Sequence, residues 1–448
     1  MLTYTLSEIA RITGGCLLPG SAGGLRVRGV VTDTRKMIPG ALFVALRGEH
    51  FDAHDFVSQA MAQGAAAVLA ERPSDAPGVL AGNSLEAFQR LAAHWRQQFR
   101  IPVLAVTGSC GKTTVKEILA AILRESGEVL ATRGNLNNHI GVPLTLSQMG
   151  KEHRHAVIEM GMNHAGELTL LSRMAAPGIA IINNAAAAHL EGLGSIAAVA
   201  AAKGEILVGL QERGIAVLNG DDSYADYWKG QASGEVWLFS MEDRPVRVRG
   251  SWQPAETGGR MEIRAPQGQF SVDIPLPGKH NGANVLAAAT AALALDIPPA
   301  HISRAIAHLD GVPGRLRWRP GRLGTRILDD SYNANPASLE AAIQVLAQQP
   351  GQRYLVLGDM GELGPDAALY HHQAGMRLKQ LGIEGLFTLG DLSRAAAESF
   401  GTGAHAFSGL EDLLRAMEPV LGRQTTILVK GSRAAHMERV ASALVEEG

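Results

Sequence analysis

Cysteine is nearly absent from this 448-residue chain: only Cys16 and Cys110 occur. A disulfide-built fold is therefore excluded, and a reducing compartment is the expectation. Excess charge of one sign is absent too. Lys and Arg number 41 against 43 Asp and Glu, a formal net charge of −2, so there is no global basic field for nucleic acid. No apolar run reaches the length of a membrane span, which predicts no membrane insertion. The opening stretch "MLTYTLSEIARITGG" has no basic segment followed by an apolar one, so no signal peptide is expected and the chain is read as cytoplasmic. Internal repeats and low-complexity tracts are missing. So is any Ser-His-Asp or Cys-His set for nucleophilic catalysis.

What is present is an alternation of short apolar runs with helical patterns, in three blocks, at a length that suits two to four domains. The first block, 1–99, ends in "SLEAFQRLAAHWRQQF". There Leu85, Phe88, Leu91, Ala92, Trp95 and Phe99 share a helical face, and Ser84 is a candidate cap. The second, 100–312, carries "VLAV", "AVIEM" and "IAIINN", which read as parallel strands with crossover helices. Between Val246 and Ile274 the texture alternates apolar and polar, predicting a small antiparallel piece. The third, 313–448, carries "TRILDD", "RYLVLGD", "GLFTLG" and "TILVKGSR" and reads as another open α/β domain.

The stretch "VLAVTGSCGKTTVKEILAAILRESG" asks for a phosphate. A strand leads into Thr107, Gly108, Ser109, Cys110, Gly111, Lys112, Thr113 and Thr114, and a helix follows. Glycines let successive backbone N–H groups face one anion, and the helix N-terminus adds its dipole. Lys112 supplies charge for the β- and γ-phosphates, and Thr113 an oxygen for Mg²⁺. Val115, Ile118, Leu119, Ile122 and Leu123 form the helix's apolar stripe, with Gly127 where a C-cap belongs. The first glycine of the usual G-x-x-x-x-G-K-[ST] pattern is replaced by Val106.

Magnesium bound with a nucleotide needs carboxylates at neighbouring strand ends. Glu159 closes "HAVIEM", and His189 lies beyond "IAIINN". A strand-end Glu is often merely solvated and a lone His is often structural, so both readings stay open. Lys203, with Glu205 close by on an Ala-rich helix, reads from pattern alone as a surface lysine.

Together "TGSCGKTT", "VIEMGMNHAGE", "NNAAAAHLEGLGS", "AKGEI", "PGKHNGANVLAA", "VPGRL" and "LDDSYNANP" resemble the Mur ligases of bacterial peptidoglycan synthesis, in that order and over essentially the whole chain. The resemblance implies an α/β fold of three domains: an N-terminal UDP-substrate-binding domain, a central P-loop ATPase-like domain with a mostly parallel sheet, and a C-terminal Rossmann-like domain. It implies ATP and two Mg²⁺ as cofactors, and a monomer. Lys112, Glu159, His189 and Lys203 would be catalytic. Thr113 and Glu159 would hold one metal, and His189 with Lys203 a second, Lys203 being carbamylated by CO₂. His280, Asn281 and Asn284 match an adenine-contacting segment, and Arg315, Asp330 and Tyr332 match groups that close over the nucleotide. Asn333 and Asn335 fall where nucleotide and acceptor join. Thr34, Arg35 and Lys36 would serve the UDP-sugar, and Asn135, Asn137 and Asn138 its peptide end. "TDTRKMIPGALFVALRGEHFDAHDF" and "DDSYNANP" point to a ligase that joins UDP-MurNAc-tripeptide to D-Ala-D-Ala through an acyl phosphate. Another ligase of the superfamily, folylpolyglutamate synthase included, is one alternative. A P-loop switch without ligase chemistry is the other.

Overall fold

Strands that read as unbroken apolar runs are buried on both faces, because helices cover each side of a parallel sheet. In the computed structural model, which describes residues 1–48 and 51–446, three larger sheets arise in this way. Glu49 and His50, within the first-block motif, lie outside the described residues. The first sheet has five strands in the order Cys16–Leu17, Gly78–Leu80, Ala67–Ala70, Leu42–Val44 and Val30–Val31, parallel except at its first pair. A two-stranded ribbon, Thr3–Thr5 with Arg26–Arg28, stands beside it.

The second sheet has nine strands. Val129–Ala131, His155–Glu159, Val103–Thr107, Ile179–Ile182, Ile215–Asn219, Glu235–Ser240 and Val248–Pro254 follow one another in parallel. Gly259–Ala265 and Gly268–Ile274 then add an antiparallel edge. The alternating segment is thus the margin of the main sheet. Side chains alternate faces with period two. Leu104, Val106, Val157 and Ile181 enter one core, whereas Val103, Ala105, Ala156 and Ile182 enter the other. The helix Lys112–Arg124 covers the first of these faces with the predicted stripe, each of whose residues is at most 1% exposed.

The third sheet begins at an antiparallel edge, Arg317–Pro320 beside Arg326–Asp330. Thr425–Lys430, Gln352–Gly358, Gly385–Leu389 and Ala404–Phe407 follow in parallel. Asp330 and Lys430 end adjacent strands in register, and in the second sheet Glu159 ends its strand paired with Val106, one residue before the end of the neighbouring strand. The carboxyl ends of these parallel strands carry the loops in which open α/β sheets bind ligands. No helix of the described residues is long and apolar enough to cross a membrane.

Two local expectations are corrected. The helix Ser84–Arg96 is capped by Asn83, whose side chain accepts from Glu86 N–H at 2.9 Å. Ser84 is instead the buried first residue of the helix, its hydroxyl donating to Ala45 O at 2.7 Å and so turned into the core rather than toward the helix's free N–H groups. The loop helix ends at Arg124 with Glu125 as its cap. Gly127 lies past that end with φ +134°, where a Cβ would stand 2.7 Å from Arg154 Cγ.

Helix Ser84–Arg96 packs into the same hydrophobic cluster as both the first sheet and one face of the second. Phe88 within it is fully buried. Phe88→Ala should therefore cost about 3–5 kcal/mol. A fall in the urea midpoint at unchanged m-value would show it, and an unchanged midpoint would contradict this packing.

Candidate active site

The phosphate loop is built so that its backbone can be approached closely. Gly111 has φ +78°, and a Cβ there would sit 2.2 Å from Asn284 Oδ1 and 2.7 Å from Asn183 Nδ2. Only glycine meets both demands. Its neighbours are tied to the next strand end. Ser109 N–H donates to Asn184 O at 3.0 Å and Cys110 N–H to Asn184 Oδ1 at 2.8 Å. Asn183 Nδ2 donates to Cys110 O at 3.0 Å and to Asn284 Oδ1 at 2.8 Å. Asn284 in turn donates to Asn281 Oδ1 at 3.1 Å, and Asn281 to Pro277 O at 2.8 Å. Thr107 turns inward, its hydroxyl on Met160 O at 2.9 Å. Sequence reasoning missed Asn183 and Asn184. Two amides ending the strand beside the loop were the available signal.

Lys112 Nζ donates to Gly108 O at 2.6 Å. Burial lowers its pKa, and Glu159 opposes that shift. Thr113 Oγ1 accepts from Arg315 Nη2 at 3.1 Å. A cavity of about 350 Å³ opens over this loop, lined also by His280, Asn281, Asn284, Asp330 and Lys430. Burial, with the Lys430 charge behind it, holds the His280 imidazole down at about 4, so it is neutral at pH 7.

A second cavity, about 450 Å³, meets the first at Ser109, Lys112, Arg315, Asn333 and Asn335. Glu159, Asn135, Asn137, Asn138, His189 and Tyr332 line only this one. Glu159 is 2% exposed. Its Oε1 accepts from Asn137 Nδ2 at 2.8 Å, while its buried Oε2 has no partner among the described residues. Asn138 is occupied locally, accepting from Gly141 N–H at 2.9 Å. His189 has φ +56°, and its Nδ1 lies 2.7 Å from Glu362 Oε2. Nδ1 makes no aligned hydrogen bond to it or to any other described residue. The contact holds the Glu362 carboxyl below its ordinary range.

Lys203 is 1% exposed, which corrects the surface reading. Helix Ile196–Gly204 is buried along several sides, with Trp228 Nε1 donating to Ala200 O at 2.8 Å. Small alanines permit that approach and leave no polar face to read. Burial first, and the Lys112 charge second, push the Lys203 amine well below the ordinary lysine range. Glu205 does not neutralise it: Glu205 accepts from Gly166 and Thr169 N–H at 2.7 and 3.1 Å, at the N-terminus of the earlier helix Glu167–Ala175. Lys203 itself lines neither cavity.

The third sheet contributes a rigid strut. Asp330 is buried, accepting from Leu316 N–H at 3.1 Å and Lys430 Nζ at 2.5 Å. Burial pushes its carboxyl up, and Lys430 opposes this. Lys430 also donates to Asn333 O at 2.9 Å. Arg315 stacks 4.4 Å over the Tyr332 ring. Asn335 caps helix Pro336–Ala347, accepting from Ser338 N–H at 2.9 Å, and also accepts from Cys110 Sγ at 3.4 Å. The structure does not bring Thr34, Arg35 and Lys36 to either cavity. They form a turn capped by Asp33, which pairs with Arg35 at 2.8 Å. Glu362 and Lys430, like the two asparagines, carried no assignment from sequence. "LVKGSR" and "GELG" were the places to look.

Comparison with known proteins matches three family domains along the chain. These are the Mur ligase family catalytic domain at residues 26–105, the Mur ligase middle domain at 106–292, and the Mur ligase glutamate ligase domain at 314–433. UDP-N-acetylmuramoyl-tripeptide–D-alanyl-D-alanine ligase of Escherichia coli K12 is 45% identical, with all of both chains covered. The enzyme of that name from Bacillus subtilis is 35% identical, covering 100% of this chain and 99% of its own. The crystal structure of MurF from Acinetobacter baumannii superposes with a TM-score of 0.93 at 34% identity over the full length of both chains. MurF ligase from Thermotoga maritima in complex with ADP gives 0.84 at 28%, covering 93% of this chain and 96% of that one. On domain order, length and identity alike, the chain belongs to the Mur ligase family, among relatives that bear the name UDP-N-acetylmuramoyl-tripeptide–D-alanyl-D-alanine ligase.

Proposed function

We propose that this chain joins UDP-MurNAc-tripeptide to D-Ala-D-Ala at the expense of ATP, giving ADP, phosphate and UDP-MurNAc-pentapeptide. One observation carries the reading. Lys112 stands where a cavity over the phosphate loop meets a second cavity lined by Glu159 and the Asn135–Asn138 turn. A nucleotide switch has no use for that second cavity. A ligase needs it to bring an acceptor carboxylate to the γ-phosphate.

The chemistry follows from the charges. A carboxylate is a poor acylating group, because the oxygen that must leave is a poor leaving group. A carboxylate oxygen of the tripeptide attacks the γ-phosphorus, and the bond from phosphorus to the ADP oxygen breaks. The amine of D-Ala-D-Ala then attacks the acyl carbon, loses a proton, and phosphate departs. Two anions must approach in the first step. Lys112 lowers that repulsion, and Arg315 brings a second cation to the loop. Arg315, Asp330 and Asn335 of the third block line the cavity together with the phosphate loop, and closing them over it would keep the acyl phosphate from water.

The residues present fit magnesium. Glu159 Oε2 is a buried carboxylate oxygen without a partner, the kind of group a cation satisfies. Among the described residues no three His, Cys, Asp or Glu form a cage, which suits an ion held largely by phosphate oxygens and water. Thr113, Glu159, His189 and a carbamylated Lys203 are the groups proposed to hold Mg²⁺, which when bound would withdraw charge from the phosphate oxygens. Support for the carbamate is the environment of Lys203, where the ammonium is disfavoured and a neutral amine can add to CO₂.

The reading includes three domains at 1–99, 100–312 and 313–448, each containing one of the larger sheets. The first is proposed to hold the UDP-sugar, through Thr34, Arg35 and Lys36. The nucleotide is assigned to the smaller cavity, with His280, Asn281 and Asn284 toward adenine. A monomer acting in the bacterial cytoplasm, where ATP is available, completes the reading.

Phosphate release from ATP tests the reading directly. It should require UDP-MurNAc-tripeptide and D-Ala-D-Ala together, with the pentapeptide identified by mass. Release with neither substrate would overturn it. Lys112→Ala should lower turnover by about 10²–10³-fold or more with an unchanged circular dichroism spectrum. Turnover near that of the unaltered protein would remove Lys112 from the mechanism. Lys203→Ala should likewise lose activity and regain part of it with short-chain carboxylic acids, which replace the carbamate. An active Lys203→Ala protein without additive would refute the carbamate.

A further inference from the structure

Three basic side chains of the Lys and Arg type line the 450 Å³ cavity: Lys112, Arg315 and Arg433. Lys112 and Arg315 also line the nucleotide cavity, and Arg315 already reaches Thr113 of the phosphate loop. Arg433 lines the second cavity alone. It follows the strand Thr425–Lys430 by three residues, so its backbone is anchored to the Asp330–Lys430 strut. Its N–H donates to Asn333 Oδ1 at 3.2 Å. The guanidinium stands 5.6 Å from the centre of the Tyr332 ring, the ring over which Arg315 is stacked. One nitrogen meets Glu438 Oε1 at 3.2 Å, and the side chain is 55% exposed. A guanidinium has five N–H donors, so a planar bidentate edge remains for a ligand.

In the function proposed above, on which this inference rests, the incoming amine belongs to a dipeptide. Such a zwitterion carries its carboxylate roughly 5–6 Å from its nitrogen, given a spacing of about 3.8 Å between successive Cα atoms. With the nitrogen at the acyl carbon beside Lys112, the carboxylate must lie away from the phosphates. It needs a cation that the nucleotide does not use. Glu362 lines the same cavity, so an amine as well as a carboxylate finds a partner there, which suits a zwitterion better than a second anion.

We propose that Arg433 binds the terminal carboxylate of the amine-bearing substrate and thereby selects a free-acid dipeptide. Tyr332 is its positioning residue, one ring serving an arginine on the nucleotide side and another on the acceptor side.

The test compares D-Ala-D-Ala with its C-terminal carboxamide. In the unaltered enzyme the carboxamide should raise KM about 10–100-fold, the range expected for a lost charge-assisted pair. Arg433→Gln should raise KM for D-Ala-D-Ala by a similar factor and leave KM for ATP and for UDP-MurNAc-tripeptide within about twofold. It should also no longer distinguish acid from amide, and Arg433→Lys should restore part of the distinction. Equal use of acid and amide by the unaltered enzyme would overturn the proposal without any variant. So would full discrimination by Arg433→Gln, or an equal rise in KM for ATP. Failure of the unaltered enzyme to use D-Ala-D-Ala at all is a different result, and it removes the proposed function itself.

Discussion

Lys112 can serve two cavities only because the loop that carries it is fixed from below, and the fixing contact is the approach of Gly111 to Asn183 and Asn284. No side chain fits there. The three amides behind it form a buried relay from Asn183 through Asn284 to Asn281, which ends on a backbone carbonyl. Buried amides left unpaired are costly, and here the chain of partners closes. The relay joins the turn after one strand, the end of its neighbour and the start of helix Lys279–Leu293. A shift in any of the three would move the lysine. The glycine and the asparagines therefore act as one unit, although they lie far apart in sequence.

The third sheet works by a different constraint. Its site residues are held by one buried ion pair, Asp330 with Lys430, at the ends of two paired strands. Both partners have further hydrogen bonds, to Leu316 N–H and Asn333 O, so the pair fixes the two segments that reach the phosphate loop. One carries Arg315 to Thr113, and the other carries Asn333 and Asn335 to the junction of the cavities. A buried pair of this kind is weak evidence for stability, since desolvation opposes its attraction. Its use here is geometric.

The sequence made the strands and the phosphate loop legible, because their signals are local. An apolar run, a glycine turn and a helical stripe all sit within the stretch from Val103 to Gly127. Glu159 was legible as a strand end, though its unpartnered oxygen could be found only in three dimensions. Ser84 was misread because two cap-forming residues stand side by side, and the carbonyl of Ala45, just past the strand Leu42–Val44, took its hydroxyl. Asn335 illustrates a subtler limit. It was expected at the meeting of nucleotide and acceptor, and it lines both cavities, yet its side chain is committed to a helix cap. Asn183, Glu362 and Arg433 escaped notice because their partners come from distant segments.

Lys203 shows why pattern fails at a buried charge, and also what the burial accomplishes. Desolvation alone would disfavour the charge on Lys112 and Lys203 alike. Their surroundings separate them. Glu159 supports the cation on Lys112, while the charge on Lys112 opposes a cation on Lys203. Burial disfavours any charge at Lys203, and the neighbouring Lys112 charge disfavours a cation there in particular. The proposed carbamate would convert the same side chain from a repelled cation to an attracted anion without moving the backbone. An aspartate or glutamate on that helix turn would be shorter and would carry its charge closer to the alanine-packed core. The proposed carbamate would place its negative charge in the field of Lys112, which would offset part of the cost of burying it.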